Sequence, residues 1–262
     1  MRHTLLIALL YGYFGGSLTA QADSTQLLKN INNSIAINIG WHQVKDENIH
    51  RKVHEGVQYG LAYSHLRTPK NRLQFSSQLQ YARLRTEYEP TPTSTSVQLY
   101  LHGNYAWRCL EAETYQLYLG ASAVAQYRFY SFPNWDESHV YWADDISLGL
   151  SSYFDWQIAD KRQLMVTFQA SLVSLFSRPA AYRNQKIDDL SFGGVLSKMH
   201  SNWDIGTLNK AIGLHFKLEY QIELSAQLTQ AFSYTARYHR LEGNNSAAWQ
   251  QIEHNVGVQL YF

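Results

Sequence analysis

Ten stretches of this chain alternate apolar residues with polar or small ones, and that period of two constrains the fold more than any other feature. In 34–44, Ile35, Ile37, Ile39 and Trp41 fall on one face, and Ala36, Asn38, Gly40 and His42 on the other. In 56–65, Val57, Tyr59, Leu61 and Tyr63 oppose Gly56, Gln58, Gly60, Ala62 and Ser64. The pattern returns in 72–82, 96–107, 114–127, 145–156, 163–176, 211–220, 224–238 and 249–262. Successive side chains on a strand point to opposite faces, so runs of this length predict strands. No equally long stretch shows a 3.6-residue period, so helices are minor.

The connections alternate in length. Those after the second, fourth, sixth and eighth strands are short: 67–71, 108–113, 157–162 and 221–223. Those after the odd strands are mostly longer and more polar, the longest running from 177 to 207. An even strand number with short turns on one side and long loops on the other is the layout of an outer-membrane barrel. The expected fold is therefore all-β: a transmembrane antiparallel up-and-down β-barrel of about ten strands, with eight or twelve as alternative parses. The short side would be periplasmic and the long side extracellular.

A soluble barrel also alternates, but with its apolar residues inside. Two features favour the membrane version. The polar parity is mostly Gly, Ser, Gln, Asn and Ala, whereas a water-facing sheet carries more Lys and Glu. Aromatic residues on the apolar parity gather at the short-turn ends of the strands. They are Tyr63, Tyr105, Trp107, Tyr115, Phe154, Trp156, Tyr220 and Phe262, placed as a girdle at one membrane boundary. Trp41, Tyr81, Tyr238 and Trp249 mark the opposite boundary. Composition agrees: charged residues are 16%, against about 25% in typical globular chains, alongside 19 Tyr and 7 Trp. A net charge of +1 gives no field to draw nucleic acid or anionic lipid at long range.

The two ends carry their own signals. Arg2 and His3, the apolar run from Leu5 to Phe14, and Ala20-Gln21-Ala22 form a secretory signal peptide over 1–22. The apolar run is too short for a spanning helix, which needs roughly 20 residues. Residues 23–33 are expected as a periplasmic segment and 34–262 as the barrel. At the other end Val256, Val258, Leu260 and Phe262 alternate with Gly257, Gln259 and Tyr261. The stretch "VGVQLYF" resembles the C-terminal strand signature of bacterial outer-membrane β-barrel proteins. The resemblance implies integration in the outer membrane of a Gram-negative bacterium, contact with its lipids, and recognition of this strand by the barrel-assembly machinery. Pairing of the last strand with the first removes both sheet edges and leaves both termini periplasmic. A monomer is expected.

Candidate chemistry lies in two places. The inward parity carries Asp155, His215, Lys217, Glu219, Arg237 and Glu253, with Asp155 toward the same end as Lys217 and Arg237 positioned to face Glu253. Opposite charges in a narrow lumen predict a structural plug. Tyr100, Tyr118, Tyr153 and Tyr261 also point inward, and ten strands leave little open path; a small gated pore is the alternative. The second place is a loop with His200, Ser201, Asn202 and Asp204, the residue types of a base, a hydroxyl nucleophile and an orienting group. His200 and Ser201 are adjacent, which on a strand turns them to opposite faces, so a polar loop is the preferred reading. Asp136, Glu137, Asp144 and Asp145, with His139 among them, fit neither an EF-hand nor a zinc spacing. No metal is assigned, and no cofactor motif appears. Phe132, Trp135, Tyr141 and Trp142 are expected to stack on sugar rings or rest at lipid headgroups. Cys109 is read as a free thiol in a turn, which leaves no disulfide framework. The expected function is a non-enzymatic surface or envelope role, with long loops binding a ligand, glycan or protein. An outer-membrane lipid hydrolase is the alternative.

Overall fold

The computed structural model describes residues 31–48, 50–68, 70–89, 91–134, 140–179, 191–200, 203–244 and 246–262. The signal peptide and most of the N-terminal segment lie outside them, as do Trp135, Asp136, Glu137, His139, Ser201 and Asn202. The strands are β1 (Ile31–Asp46), β2 (His50–Arg67), β3 (Asn71–Leu84), β4 (Ser94–Glu111), β5 (Tyr115–Ser131), β6 (Val140–Trp142), β7 (Asp144–Ala159), β8 (Arg162–Ser177), β9 (Trp203–Thr207), β10 (Ala211–Ser225), β11 (Leu228–Leu241) and β12 (Trp249–Tyr261). One short helix, α1 (Phe192–Met199), lies in the connection between β8 and β9.

Among the described residues, ten long strands pair antiparallel in a closed ring. Sequential neighbours pair throughout, β8 pairs with β10, and β12 returns to β1. β6 and β9 are short ladders that continue the walls of β5 and β8 at the long-loop end. The ring is staggered. Following partners from Ser34 gives Ser64, Ser76, His102, Val124, Ser147 and Ser174. That path starts near the short-turn end of β1 and finishes near the long-loop end of β8, as tilted strands in a barrel require. Closure reaches the last residue: the Phe262 N–H donates to the Asn33 carbonyl (2.9 Å), and the Asn33 N–H returns the bond (3.1 Å).

Inward glycines let neighbouring strands come close. A Cβ on Gly40 would strike the His254 carbonyl oxygen, and one on Gly120 the Tyr105 carbonyl oxygen. Such positions mark close backbone approach in a curved sheet.

The exterior is apolar and the interior polar. Ile35, Ile37, Leu61, Leu79, Leu148, Leu150, Val256 and Leu260 are exposed outside, while Gln58, Gln80, Gln98, Gln126, Gln169 and Gln251 are buried inside. This inverts the soluble barrel and defines a transmembrane one. Tyr63, Tyr105, Trp107, Tyr115, Trp156 and Phe262 all stand exposed on the outer face near the short turns, joined by half-buried Phe154 and Tyr220.

Several details differ from the pattern of alternation. β1 begins at Ile31, three residues before the apolar run. The turn after β10 falls at 226–227, not 221–223, because pairing continues to Ser225↔Leu228. Near Val173 a bulge lies opposite Leu148 and Gly149 and leaves both Leu172 and Val173 outside. Trp249 does not belong to the outer girdle: its parity faces the lumen, where it is fully buried. Phe132, Tyr141 and Trp142 are likewise buried, not available to sugars or headgroups.

Val256→Arg is expected to destabilise the folded barrel by about 2–4 kcal/mol in lipid vesicles, because it places a cation in the middle of the apolar band. Urea titration of the heat-modifiable gel shift measures it. A neutral effect, as at a water-exposed site, would contradict the membrane-facing assignment.

Candidate functional site

The lumen is filled in layers. At the long-loop end Val44, Leu84, Tyr130, Phe132, Phe176 and Trp249 belong to one apolar cluster inside the barrel. Tyr130 and Phe132 stack at 5.9 Å between centroids. Polar residues fill the layers below it.

Three arginines organise those layers in the same way. Arg128 donates to Asp145 Oδ1 (2.8 Å) and lies over the Trp249 ring (4.8 Å). Arg237 donates to Glu253 Oε2 (3.2 Å) and lies over Tyr100 (4.4 Å). Arg72 donates to both oxygens of Asp155 (3.0 Å each) and lies over Tyr153 (4.3 Å). Each guanidinium therefore has a carboxylate at its edge and an aromatic ring on its face, the two contacts that suit its planar, weakly hydrated charge.

Some of these contacts cross the lumen. Arg72 on β3 reaches Asp155 on β7, and Arg237 on β11 reaches Gln78 and Gln80 on β3. Tyr130 on β5 donates to Gln251 on β12 (2.9 Å). These cross-lumen bonds fix opposite walls relative to each other. His42 and Glu253, ladder partners on β1 and β12, are 3.5 Å apart and both almost fully buried.

The six charged positions expected in the lumen all face inward, but their pairing differs in part. Arg237 and Glu253 meet directly. Lys217 pairs with Glu219 and donates to Gln259 Oε1 (3.0 Å). Glu219 also accepts from Tyr261 and Gln221. Asp155 is paired with Arg72, not with Lys217. Arg72 begins its strand beside a short turn, so its sequence position suggests a solvent-exposed turn charge. Arg128 lies where the sequence reads as connection, and β5 runs past it to Ser131. His215 bonds Gln169 Oε1 (3.0 Å), and Gln169 Nε2 contacts His102 (3.0 Å). A cavity of about 90 Å³ touches His102, Gln169, His215, Lys217 and Asn255. Its polar lining suits ordered water.

At the mouth, Arg178 ties three connections together. It donates to Asp46 Oδ1 (2.7 Å), to Leu241 O (3.3 Å) and to the Ala247 carbonyl. Asn48 donates to Pro179 O (3.1 Å) and accepts from the Ala247 N–H (3.0 Å). No sequence pattern marks Arg178, because its partners lie more than sixty residues away on other loops.

The loop candidates do not form a triad among the described residues. Asp204 accepts from the Asn244 N–H (3.0 Å) and Nδ2 (3.1 Å). His200 is exposed, with its ring against Tyr127 (6.0 Å) and Trp203 (5.5 Å). Among the described residues no group of His, Cys, Asp and Glu is placed to hold a metal ion. Asp144 accepts from the Arg128 N–H at Oδ1 (2.9 Å) and Asp145 from its side chain, while Asp144 Oδ2 is buried without a hydrogen-bond partner among the described residues. Cys109 is exposed beside a bulge in β4.

No family model and no curated relative matches the chain. Solved structures similar to it are outer-membrane barrels. The outer-membrane protease OmpT from Escherichia coli is 9% identical, with a TM-score of 0.49 over 94% of this chain and 98% of that one. An outer-membrane channel from Pseudomonas putida F1 is 11% identical, with a TM-score of 0.40 over 93% and 100%. The translocator domain of the autotransporter NalP from Neisseria meningitidis is 9% identical, with a TM-score of 0.40 over 97% and 92%. At these levels, function has to be read from this chain's own geometry.

Removing the cation of a dry pair strands its buried partner. Arg72→Met is expected to cost about 3–5 kcal/mol. Lys217→Met is expected to cost less, because the Lys217 side chain is 25% exposed to the cavity and Glu219 keeps Tyr261 and Gln221. Urea unfolding of both variants in the same vesicles tests the order; equal midpoints would refute the pairing scheme.

Proposed function

We propose that the chain is an integral protein of a bacterial outer membrane, built as a non-conducting stem that carries its activity in the long loops. The carrying observation is the filled lumen. An apolar cluster at the long-loop end sits above buried Arg–carboxylate pairs, and the Arg72–Asp155, Arg237–Gln78 and Tyr130–Gln251 contacts join strands that are not neighbours, which favours a lumen without a continuous aqueous path. Location in the outer membrane follows from the apolar outer band and its aromatic boundary. The short turns and both termini face the periplasm in this reading, and the long loops face outward. The outward face of β12, with Val256, Val258, Leu260 and Phe262 exposed to lipid, suits recognition by the assembly machinery before closure against β1.

The loops suit binding better than hydrolysis. Arg178, Asp46 and Asn48 hold three connections as one surface, which favours a fixed binding face for a ligand, glycan or protein. The Asp204 carboxylate is engaged by Asn244, which disfavours it as the orienting group of a triad.

Three measurements test this. The protein is expected in the outer-membrane fraction, with heat-modifiable mobility on an unheated gel; recovery in the soluble periplasm would end the membrane reading. In planar bilayers it is expected to show no steady conductance above baseline, and steady single-channel steps would replace the closed stem with a pore. Incubation with outer-membrane lipids is expected to release no fatty acid by mass spectrometry. Release that disappears in His200→Ala would overturn the non-enzymatic reading.

A further inference from the structure

The outward face of β3 changes character in order along the strand: Phe75, Ser77, Leu79, Tyr81, and then Arg83 and Arg85, which follow as exposed cations. Tyr81 pairs across the ladder with Tyr59, and both rings are exposed. With a rise of about 3.3 Å per residue and a tilt near 40°, Arg83 stands about 5 Å beyond Tyr81. Aromatic rings mark the edge of the hydrocarbon, so Arg83 and Arg85 lie at the depth of lipid phosphates.

Nearby acids are already engaged. Glu55, opposite Arg85, accepts from Gln43 Nε2 (2.9 Å). Glu87 pairs with Lys52, and Glu89 accepts from Asn134 (2.9 Å). Elsewhere on this rim Lys45 pairs with Glu47 (3.1 Å) and Arg240 with Glu242 (2.6 Å). Among the described residues, no carboxylate lies within 4.0 Å of the Arg83 or Arg85 guanidinium. The Arg83 side chain is steadied by a bond from Nη2 to Pro92 O (2.9 Å), which leaves its other N–H groups for a ligand.

Lower on the wall, from β3 toward β4, β5 and β7, the apolar band carries a groove. It measures about 440 Å³ and runs over Phe75, Ser77, Leu101, Gly103, Ala123 and Ala125. Packing does not demand these small residues. A Cβ on Gly103 would meet only the Phe75 ring, at 3.4 Å, and its backbone is not in the left-handed region. Ser77 lies six residues before Arg83, about 15 Å along the membrane normal. That is half of a hydrocarbon core of about 30 Å, the depth of one leaflet.

We infer that this face docks one phosphate-bearing membrane lipid, with its phosphate on Arg83 and Arg85 and an acyl chain in the groove below. The inference rests on the membrane reading, whose own failure would appear in the fractionation. Arginine suits the occupant because its planar fork binds phosphate oxygens in pairs. The charge supplies selectivity and the groove supplies chain contact, so the two halves separate experimentally.

The test is native mass spectrometry of the purified barrel in mixed micelles containing either phosphatidic acid or diacylglycerol with the same chains. The native protein should retain one phosphatidic acid, and diacylglycerol about tenfold less. Arg83→Gln/Arg85→Gln should lower phosphatidic acid to the diacylglycerol level. Gly103→Leu/Ala123→Leu should lower retention of both, with heat-modifiable mobility confirming that the variants fold. Equal retention of the two lipids by the native protein would overturn the proposal without any variant. So would displacement of phosphatidic acid by millimolar inorganic phosphate, which identifies a free-phosphate site, or cross-linking of a second copy through Cys substituted at Ala123.

Discussion

A charge inside a barrel that crosses a membrane has nowhere to go, and this structure depends on how three such charges are held. Arg72, Arg128 and Arg237 sit at different depths, each with a carboxylate at its edge and a ring on its face. Desolvating a guanidinium alone is costly, and a single carboxylate seldom repays that cost. The ring adds a contact that needs no further desolvation of polar groups. Uncharged glutamines fill the space between, donating and accepting without adding charge. The result is a lumen in which walls that never touch as strands are joined through side chains.

The layering also sets where the interior is dry and where it is wet. At the long-loop end the buried rings of Tyr130, Phe132 and Trp249 pack against one another and fill the space with side chains. At mid-depth the contacts around His215, Lys217 and Asn255 are looser, and the cavity there carries both donors and acceptors. In the proposed reading of a non-conducting stem, the dry layer toward the loops and the wet layer nearer the short turns act as two barriers in series. Openings of the two layers would have to coincide before an ion could pass.

Much of the fold was legible because one parity of the chain meets lipid and the other meets lumen. Ile35, Ile37 and Ile39 against Ala36, Asn38 and Gly40 is enough to set β1, and Val256 to Phe262 is enough to set β12. The pattern failed where strands extend past the apolar band. There the outward residues turn polar and the inward ones turn aromatic, so Trp249 looked like a girdle residue and Arg128 like part of a loop. Charged pairs were legible when the partners are ladder neighbours, as Arg237 and Glu253 are. They were not legible across the lumen: nothing local links Arg72 to Asp155, eighty-three positions away. The same holds for Arg178 at the mouth, whose partners are brought together only when the ring has closed.

Buried ion pairs are weak evidence for stability, since apolar replacements of similar shape often do as well. Their value in this barrel lies in register. A slip of one residue between strands turns every lumen side chain to the lipid and every lipid-facing side chain inward. For an uncharged pattern of small residues such as Gly, Ala and Ser, the penalty of that slip is modest. With Asp155, Glu253 or Arg237 on the strand, it would put an ionised group into hydrocarbon, at a cost of several kilocalories per mole. The charges occur on β3, β5, β7, β10, β11 and β12, so most of the ring carries at least one residue that forbids the slipped arrangement. The lumen network is therefore best understood as a device that excludes wrong barrels.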